Sequence, residues 1–414
     1  MKKYGCIGKK LTHSFSREIH RELADYEYEL IELREEEVAP FFESRDFAAV
    51  NVTIPYKETV IPYLDEISDV ARRIGAVNTV VNRGGRLFGY NTDYYGMRAL
   101  AEKAGVDIVG KKVLILGTGG TSKTARTLCL DLGASEVLTV SRRKSESHIT
   151  YEEATSHHTD AGVIINTTPS GMYPDVESKP IDISYFPRLE GVLDAVYNPL
   201  STNLVLDARE RGINAEGGLF MLVMQAVFAV EKFIGVKVSR EKSAEVFGKI
   251  LSSKENIVLT GMPGSGKSTV GRLLKLSGFE FFDTDREIEK RCGCTCGELI
   301  CREGEAYFRE LEHQVILEVS SESRRIISTG GGAVLREDNV RALKRCGRLF
   351  FIDANLERLR ATDSRPLSDT EDKLKRLYRE RLPIYRATAD VTVPDMGTPK
   401  AEAEYILAKR TDNI

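Results

Sequence analysis

The sequence predicts an α/β protein of two or three domains built on parallel sheets. Three observations predict it. Strand-like apolar segments alternate with amphipathic helical ones. Two short strands run straight into glycine-rich turns, and 414 residues exceed what one hydrophobic core usually organises. Hydrophobic residues make up 42% and charged residues 29%, close to the globular average, which excludes a disordered, collagen-like or low-complexity chain. Lys and Arg number 59 against 62 Asp and Glu, a formal net charge of -3. Holding nucleic acid by phosphate neutralisation calls for a basic excess, so no nucleic-acid partner is expected and any bound anion must be captured by local groups.

The N-terminal stretch MKKYGCIGKKLTHS has neither the apolar run of a signal peptide nor the amphipathic pattern of a transit peptide. The longest apolar run, Gly218–Val230, falls short of the roughly 20 residues a membrane span needs and predicts a buried helix. Seven Cys in a chain this long do not form a disulfide framework. The expectation is a cytoplasmic, reducing setting with no membrane partner. Cys292, Cys294, Cys296 and Cys301 lack the paired knuckles and nearby His of common zinc sites. The stretch reads as a loop and helix start, with Cys296 as a small core residue.

The first strand, Lys112–Leu116, enters Gly117-Thr-Gly-Gly120; a helix over Thr121–Leu132 and a strand over Glu136–Val140 complete a βαβ unit. The second strand, Asn256–Thr260, enters GMPGSGKS (Gly261–Ser268), with a helix expected over Thr269–Leu276. Polar Ser252–Glu255 between them reads as a linker, dividing the chain into about 253 and about 161 residues, each able to bury a core.

GMPGSGKS fits G-x-x-x-x-G-K-[ST] in its required strand–loop–helix context. Backbone N–H groups around Gly264, Ser265, Gly266 and Thr269 then face a phosphate, Lys267 reaches the β/γ-phosphates, and Ser268 ligates Mg²⁺. This establishes a nucleoside triphosphate such as ATP, not its acceptor. The first turn, with Gly117, Gly119, Gly120 and Thr121, departs from G-x-G-x-x-G by placing Ser122 last. An NAD enzyme carries an acidic residue at the end of the next strand, whereas this chain reads Ser141-Arg142-Arg143-Lys144. Cations without a carboxylate suit a 2′-phosphate, so NADP is expected over NAD.

With those loops placed, two families come into view. FFDTDREIE (Phe281–Glu289), GEAYFRELE (Gly304–Glu312), STGGGAV (Ser328–Val334), SRPL (Ser364–Leu367) and RERLPIY (Arg379–Tyr385) follow the phosphate loop in order. Residues 254–414 resemble shikimate kinase. The resemblance implies that Asp285 binds the shikimate ring and orients or deprotonates its attacking hydroxyl, and that Asp283 sits near Mg²⁺. It implies that Arg309 and Arg381 grip the carboxylate, that Gly330, Gly331 and Gly332 let backbone approach the ring, and that Arg365 rides on a closing lid.

KKLTHSFS (Lys9–Ser16), NVTIPYK (Asn51–Lys57), GAVNTVV (Gly75–Val81), GYNTDYYG (Gly89–Gly96), INTTPSGM (Ile165–Met172), DAVYNPLST (Asp194–Thr202) and GLFMLVMQA (Gly218–Ala226) make residues 1–250 resemble shikimate dehydrogenase. Ser141 stands where that family commonly has Asn. The resemblance implies a Lys57–Asp93 pair that handles the proton of ketone reduction. It implies substrate contacts from Ser14, Ser16, Thr53, Asn78, Tyr197 and Gln225, with Gly218 and Met221 packing the cofactor. The implied architecture is a substrate α/β domain (1–105 with 219–250), a Rossmann-type NADP domain (106–218) and a P-loop kinase domain (254–414). The joint expectation is a bifunctional enzyme acting on small molecules, using NADP(H), ATP and Mg²⁺, with oligomeric state open. Quinate with NAD, another small hydroxy or sugar acid for the kinase half, and a half that binds without catalysing stay open as alternatives.

Overall fold

The computed structural model describes residues 3–11, 15–274, 276, 278–359 and 370–411. The chain forms two compact units, Met1–Ile250 and Leu251–Ile414. The segment read as a linker is helical instead: Ser252–Lys254 complete the helix Arg240–Lys254. No Gly or Pro interrupts the chain between Gly248 and Asn256, so nothing there breaks the helix.

The first unit holds two sheets. One is built from β1 (Tyr4–Gly8), β2 (Tyr28–Glu32), β3 (Ala49–Val52), β4 (Glu66–Ile67), β5 (Thr79–Arg83) and β6 (Arg86–Tyr90), in the order β2-β1-β3-β5-β6-β4. It is mixed rather than parallel as expected: β5 runs antiparallel to both β3 and β6. The cause is local. Gly84 and Gly85 have φ of 62° and 89°, the two positive values a two-residue hairpin turn requires, and glycine meets them without a Cβ penalty.

The second sheet contains β7 (Lys112–Leu116), β8 (Glu136–Ser141), β9 (Ile149–Thr150), β10 (Val163–Asn166), β11 (Gly191–Asp194) and β12 (Asn214–Glu216), in the order β12-β11-β10-β7-β8-β9. All its pairings are parallel. The connections diverge at β7, so a crevice opens at its carboxyl end, where the glycine turn lies. The helix after that turn spans Gly120–Asp131. The apolar run forms the helix Leu219–Ile234, whose buried face includes Met221 and Gln225.

The second unit carries β13 (Asn256–Thr260), β14 (Glu280–Asp283), β15 (Arg325–Ser328), β16 (Gly347–Asp353) and β17 (Val391–Pro394), ordered β14-β15-β13-β16-β17 and wholly parallel. The phosphate loop leaves the carboxyl end of β13, again between diverging crossovers. Its helix, Lys267–Leu273, ends three residues before the expected Leu276. The chain turns there, and Leu274 is buried with Ile257, Leu259 and Phe350. Among the described residues no helix is long and apolar enough to cross a membrane.

Candidate active sites

Lys57 lies in the turn after β3, and its Nζ donates to Asp93 Oδ2 at 2.6 Å, with side chains 15% and 10% exposed. Asp93 opens the helix Asp93–Ala104, where the macrodipole favours a carboxylate. Asn78 fastens that helix start. Its Oδ1 accepts from Thr92 N at 2.7 Å and from Thr92 Oγ1 at 3.2 Å. Its carbonyl end is thus committed to the protein, and its amide N–H groups are the end available to a ligand oxygen.

The other expected substrate contacts are spread over several elements. Thr53 is half-buried, its N–H bonded to Ile7 O. Tyr197 sets its ring edge-on to Phe15 at 5.3 Å, and burial raises its phenol above the usual range. Gln225 donates Nε2 to Leu222 O within its own helix at 2.9 Å. Ser16 is the first residue of the helix Ser16–Leu23, and Phe15 takes its N-cap position. Ser14 lies outside the described residues. Gly218 N-caps the helix carrying Met221 and Gln225 and donates its N–H to Val196 O at 2.8 Å.

The glycine turn comes close to the Lys57–Asp93 pair: a Cβ on Gly120 would lie 3.8 Å from Lys57 Cδ. Gly119 caps the following helix without a side-chain bond, so the N–H groups of the first turn are unclaimed by any cap. Thr121 is half-buried in that turn. At the end of β8, Ser141 Oγ accepts from Arg143 N at 3.2 Å. Arg142 and Arg143 are exposed, with neither guanidinium ion-paired among the described residues, whereas Lys144 is paired with Glu153. Uncapped N–H groups followed by two unengaged guanidinium groups fit a dinucleotide carrying a 2′-phosphate.

Sequence reasoning missed Asp194. This buried carboxylate accepts from Thr202 Oγ1 at 2.6 Å, Val196 N at 2.9 Å and Asn166 Nδ2 at 2.9 Å. Burial pushes its pKa up to about 6. It ties the end of β10 to the loop bearing Tyr197; an acid ending an apolar strand was the available signal.

In the second unit, a cavity of about 440 Å³ is lined by Gly264, Gly266, Lys267, Ser268 and Thr269 from the phosphate loop, and by Asp283, Asp285, Arg309, Gly331, Gly332 and Arg381. Lys267 is buried and braces the loop, donating Nζ to Gly261 O and Met262 O at 2.9 Å each. Ser265 Oγ is buried without a hydrogen-bond partner, an orphan polar atom of the kind a bound phosphate satisfies. Ser268 Oγ lies 3.3 Å from Ser328 Oγ. Asp283, opposite Ser328 in the β14–β15 register, is also buried. Two hydroxyls and a carboxylate form an all-oxygen donor set suited to Mg²⁺, which also takes ligands from phosphates and water.

The cavity also holds an acid pair and two arginines. Burial, reinforced by Glu312 and then Asp283, pushes Asp285 up to about 6. Glu312, which sequence reasoning missed, is fully buried and ion-paired with Arg309 at 2.8 Å, its Oε1 unpartnered. Burial lifts its carboxyl above the usual range against the pull of Arg309. The i,i+3 spacing of Arg309 and Glu312 was the signal. Arg309 also pairs with Glu305 at 2.9 Å, so its guanidinium is held in place. Arg381 is buried and donates to Gly331 O at 2.8 Å, and Tyr385 donates to the same carbonyl. Gly330 donates its N–H to Thr284 Oγ1 at 2.9 Å, and a Cβ there would lie 2.6 Å from both Asp285 Oδ1 and Glu312 Oε1. Only glycine fits between the two acids. Arg365 lies outside the described residues.

None of the seven cysteines is joined in a disulfide. Cys292, Cys294 and Cys296 pack against a core that includes Ile288 and Leu299. Cys296 donates to Asp285 O at 3.5 Å, and burial followed by the charge of Asp285 raises its thiol far above the reactive range. Among the described residues no group of three or more His, Cys, Asp or Glu side chains is placed to hold a metal ion.

Comparison with known proteins bears on both units. Residues 6–80 match the family model for the shikimate dehydrogenase substrate binding domain, and residues 263–411 match the model for shikimate kinase. A shikimate dehydrogenase (NADP(+)) of Clostridium perfringens strain SM101 is 37% identical over 268 residues, covering 60% of this chain and 98% of the relative. Among solved structures, shikimate dehydrogenase 1 from Peptoclostridium difficile aligns with a TM-score of 0.56 at 34% identity, over 60% of this chain and 98% of that one. The Thermus thermophilus shikimate 5-dehydrogenase in complex with NADP(H) and shikimate aligns at 0.54 and 28% identity, over 60% and 99%.

Proposed function

Because the chain belongs to the shikimate dehydrogenase family over its first three-fifths and carries a shikimate kinase domain at residues 263–411, we propose that it catalyses two consecutive reactions on one ring. The first is NADPH-dependent reduction of 3-dehydroshikimate to shikimate; the second is ATP-dependent phosphorylation of the shikimate 3-hydroxyl. The observation that carries the reading is the grouping of reactive side chains in each unit: Lys57–Asp93 beside a dinucleotide turn, and Asp285 with two fixed arginines beside a phosphate loop. We assign residues 1–105 with 219–250 to substrate binding, 106–218 to NADP and 254–414 to the kinase, working in the cytoplasm where both co-substrates are pooled.

Bound NADPH supplies the hydride for the carbonyl carbon. Lys57 gives a proton to the developing alkoxide oxygen, and Asp93 holds the ammonium in place to do so. Asn78, Thr53, Ser14, Ser16, Tyr197 and Gln225 bind the ring hydroxyls and carboxylate, while Gly218 and Met221 pack against the cofactor. Arg142 and Arg143 receive its 2′-phosphate, with Ser141 fixing the turn between them. Lys144, drawn to Glu153, contributes less.

In the kinase, Mg-ATP supplies the phosphoryl group. Asp285 takes the proton of the attacking hydroxyl, Arg309 and Arg381 grip the carboxylate, and backbone at Gly331 and Gly332 approaches the ring. Lys267 and Arg365 offset the charge that builds on the transferring group. Ser268 and Asp283 hold Mg²⁺.

Two outcomes follow for the kinase. Asp285 must be ionised to accept a proton, and its carboxyl titrates near 6 rather than near 4. The kcat/KM for phosphorylation therefore falls about tenfold per pH unit below about 6 and is level above it. A pH profile of ADP release checks this, and a rate unchanged down to pH 5 removes Asp285 as the base. Gly330→Ala, which drives a methyl group into both acids, lowers phosphorylation by about tenfold or more through a misplaced Asp285. Circular dichroism and the unfolding midpoint of that variant, compared with wild type, separate the effect from misfolding.

The reading as a whole is tested by giving purified protein 3-dehydroshikimate, NADPH and Mg-ATP while following NADPH loss and ADP formation. Both signals are expected. Preference for quinate with NAD⁺, or phosphorylation of gluconate but not shikimate, overturns the corresponding half.

A further inference from the structure

We propose that Glu58, Tyr94 and Asp131 are positioning residues that register the dinucleotide helix Gly120–Asp131 against the Lys57–Asp93 pair. The inference rests on the reductase reading above. Each member of the pair has a chain neighbour that reaches this helix, one at either end. Glu58, beside Lys57, accepts from Lys123 Nζ at 2.7 Å in the helix's first turn. Tyr94, beside Asp93, donates its hydroxyl to Asp131 Oδ2 at 2.8 Å on the helix's last residue. Arg73 adds a two-pronged contact to the same carboxylate, at 2.6 and 2.8 Å.

Asp131 is badly placed for its own helix. A carboxylate at the C-terminal end faces the negative pole of the macrodipole, and the last turn has no basic residue to offset it. Its partners come from the helices Asp69–Ile74 and Asp93–Ala104. Just ahead of the first anchor, the glycine turn passes beside Lys57. A rod held at one end pivots; held at both, it keeps its axial position and tilt. Reduction is sensitive to this, because a misplacement of about 1 Å between reacting groups costs on the order of 10²-fold in rate.

The test uses the full chain with four variants: Tyr94→Phe, Asp131→Asn, Glu58→Lys, and the reversed pair Glu58→Lys/Lys123→Glu. Each single variant is expected to lower kcat for 3-dehydroshikimate reduction by about tenfold while leaving KM for that substrate within about twofold. NADP⁺ binding, read by fluorescence titration without the second substrate, weakens, and amide hydrogen exchange over 120–131 speeds up. The reversed pair restores all three readouts toward wild type. Wild-type kcat and NADP⁺ affinity in the single variants overturn the proposal, as does a reversed pair no better than Glu58→Lys. A loss in Tyr94→Phe matched by an equal loss of kinase activity and a lower unfolding midpoint also overturns it, since the hydroxyl would then be merely structural. If wild-type protein does not reduce 3-dehydroshikimate, the reductase reading fails by itself, and the fluorescence and exchange readouts still decide whether the helix is registered.

Discussion

Lys57→Ala lowers dehydrogenase turnover by about 10²–10⁴-fold, the usual contribution of a positioned acid or base, while kinase turnover persists. The expectation follows from the 2.6 Å contact to Asp93 in a nearly water-free setting. Among the described residues no other ammonium pairs with Asp93, and alanine leaves that carboxylate as a buried charge without its partner. Much of the loss therefore appears in kcat, with weaker substrate binding added to it. Initial rates of NADPH oxidation at saturating 3-dehydroshikimate measure the first effect, and the KM for 3-dehydroshikimate measures the second. Undiminished turnover removes Lys57 from the reaction.

Lys267→Ala abolishes phosphorylation and leaves NADPH oxidation intact. Two losses combine. The ammonium no longer reaches the phosphates, and the loop carbonyls of Gly261 and Met262 lose the donor that holds them at 2.9 Å. Lys267→Arg keeps the charge but not the compact geometry, and restores little. ADP release with shikimate and Mg-ATP reads the kinase, NADPH consumption by the same preparation reads the first unit, and an unchanged circular dichroism spectrum and unfolding midpoint show that the second stays folded. Simultaneous loss of both activities would point to misfolding instead.

Features set by short stretches of chain were legible in the sequence. β7, β13 and the turns that follow them lie where apolar runs meet glycine, because both strand burial and phosphate-loop geometry are encoded within about ten residues. The mixed order of the first sheet was not legible in that way. The Gly84–Gly85 hairpin is a local signal, yet which strand β5 pairs with depends on long-range contacts. The contact between Lys57 and Asp93 across 36 positions was expected from the family resemblance and is present; no local pattern in the chain would have shown it. Glu312 escaped because an isolated glutamate on a helix ordinarily faces water; it is buried here because Arg309 partners it. Lys144 was grouped with two arginines by proximity in sequence, whereas a cross-turn carboxylate decides its direction. Ser252–Lys254 looked like a linker by composition, and helix continuity overrode composition.

The two carboxyls flanking Gly330 bear on how the kinase lets go. Under the reaction proposed above, a ring that enters with a single carboxylate is tolerated, since Arg309 and Arg381 line the same cavity. Once that reaction attaches a phosphate with nearly two more negative charges and Asp285 releases the proton it took, the same floor of Asp285 and Glu312 repels its occupant at close range. Turnover is then helped by an exit that grows steeper as soon as chemistry is done.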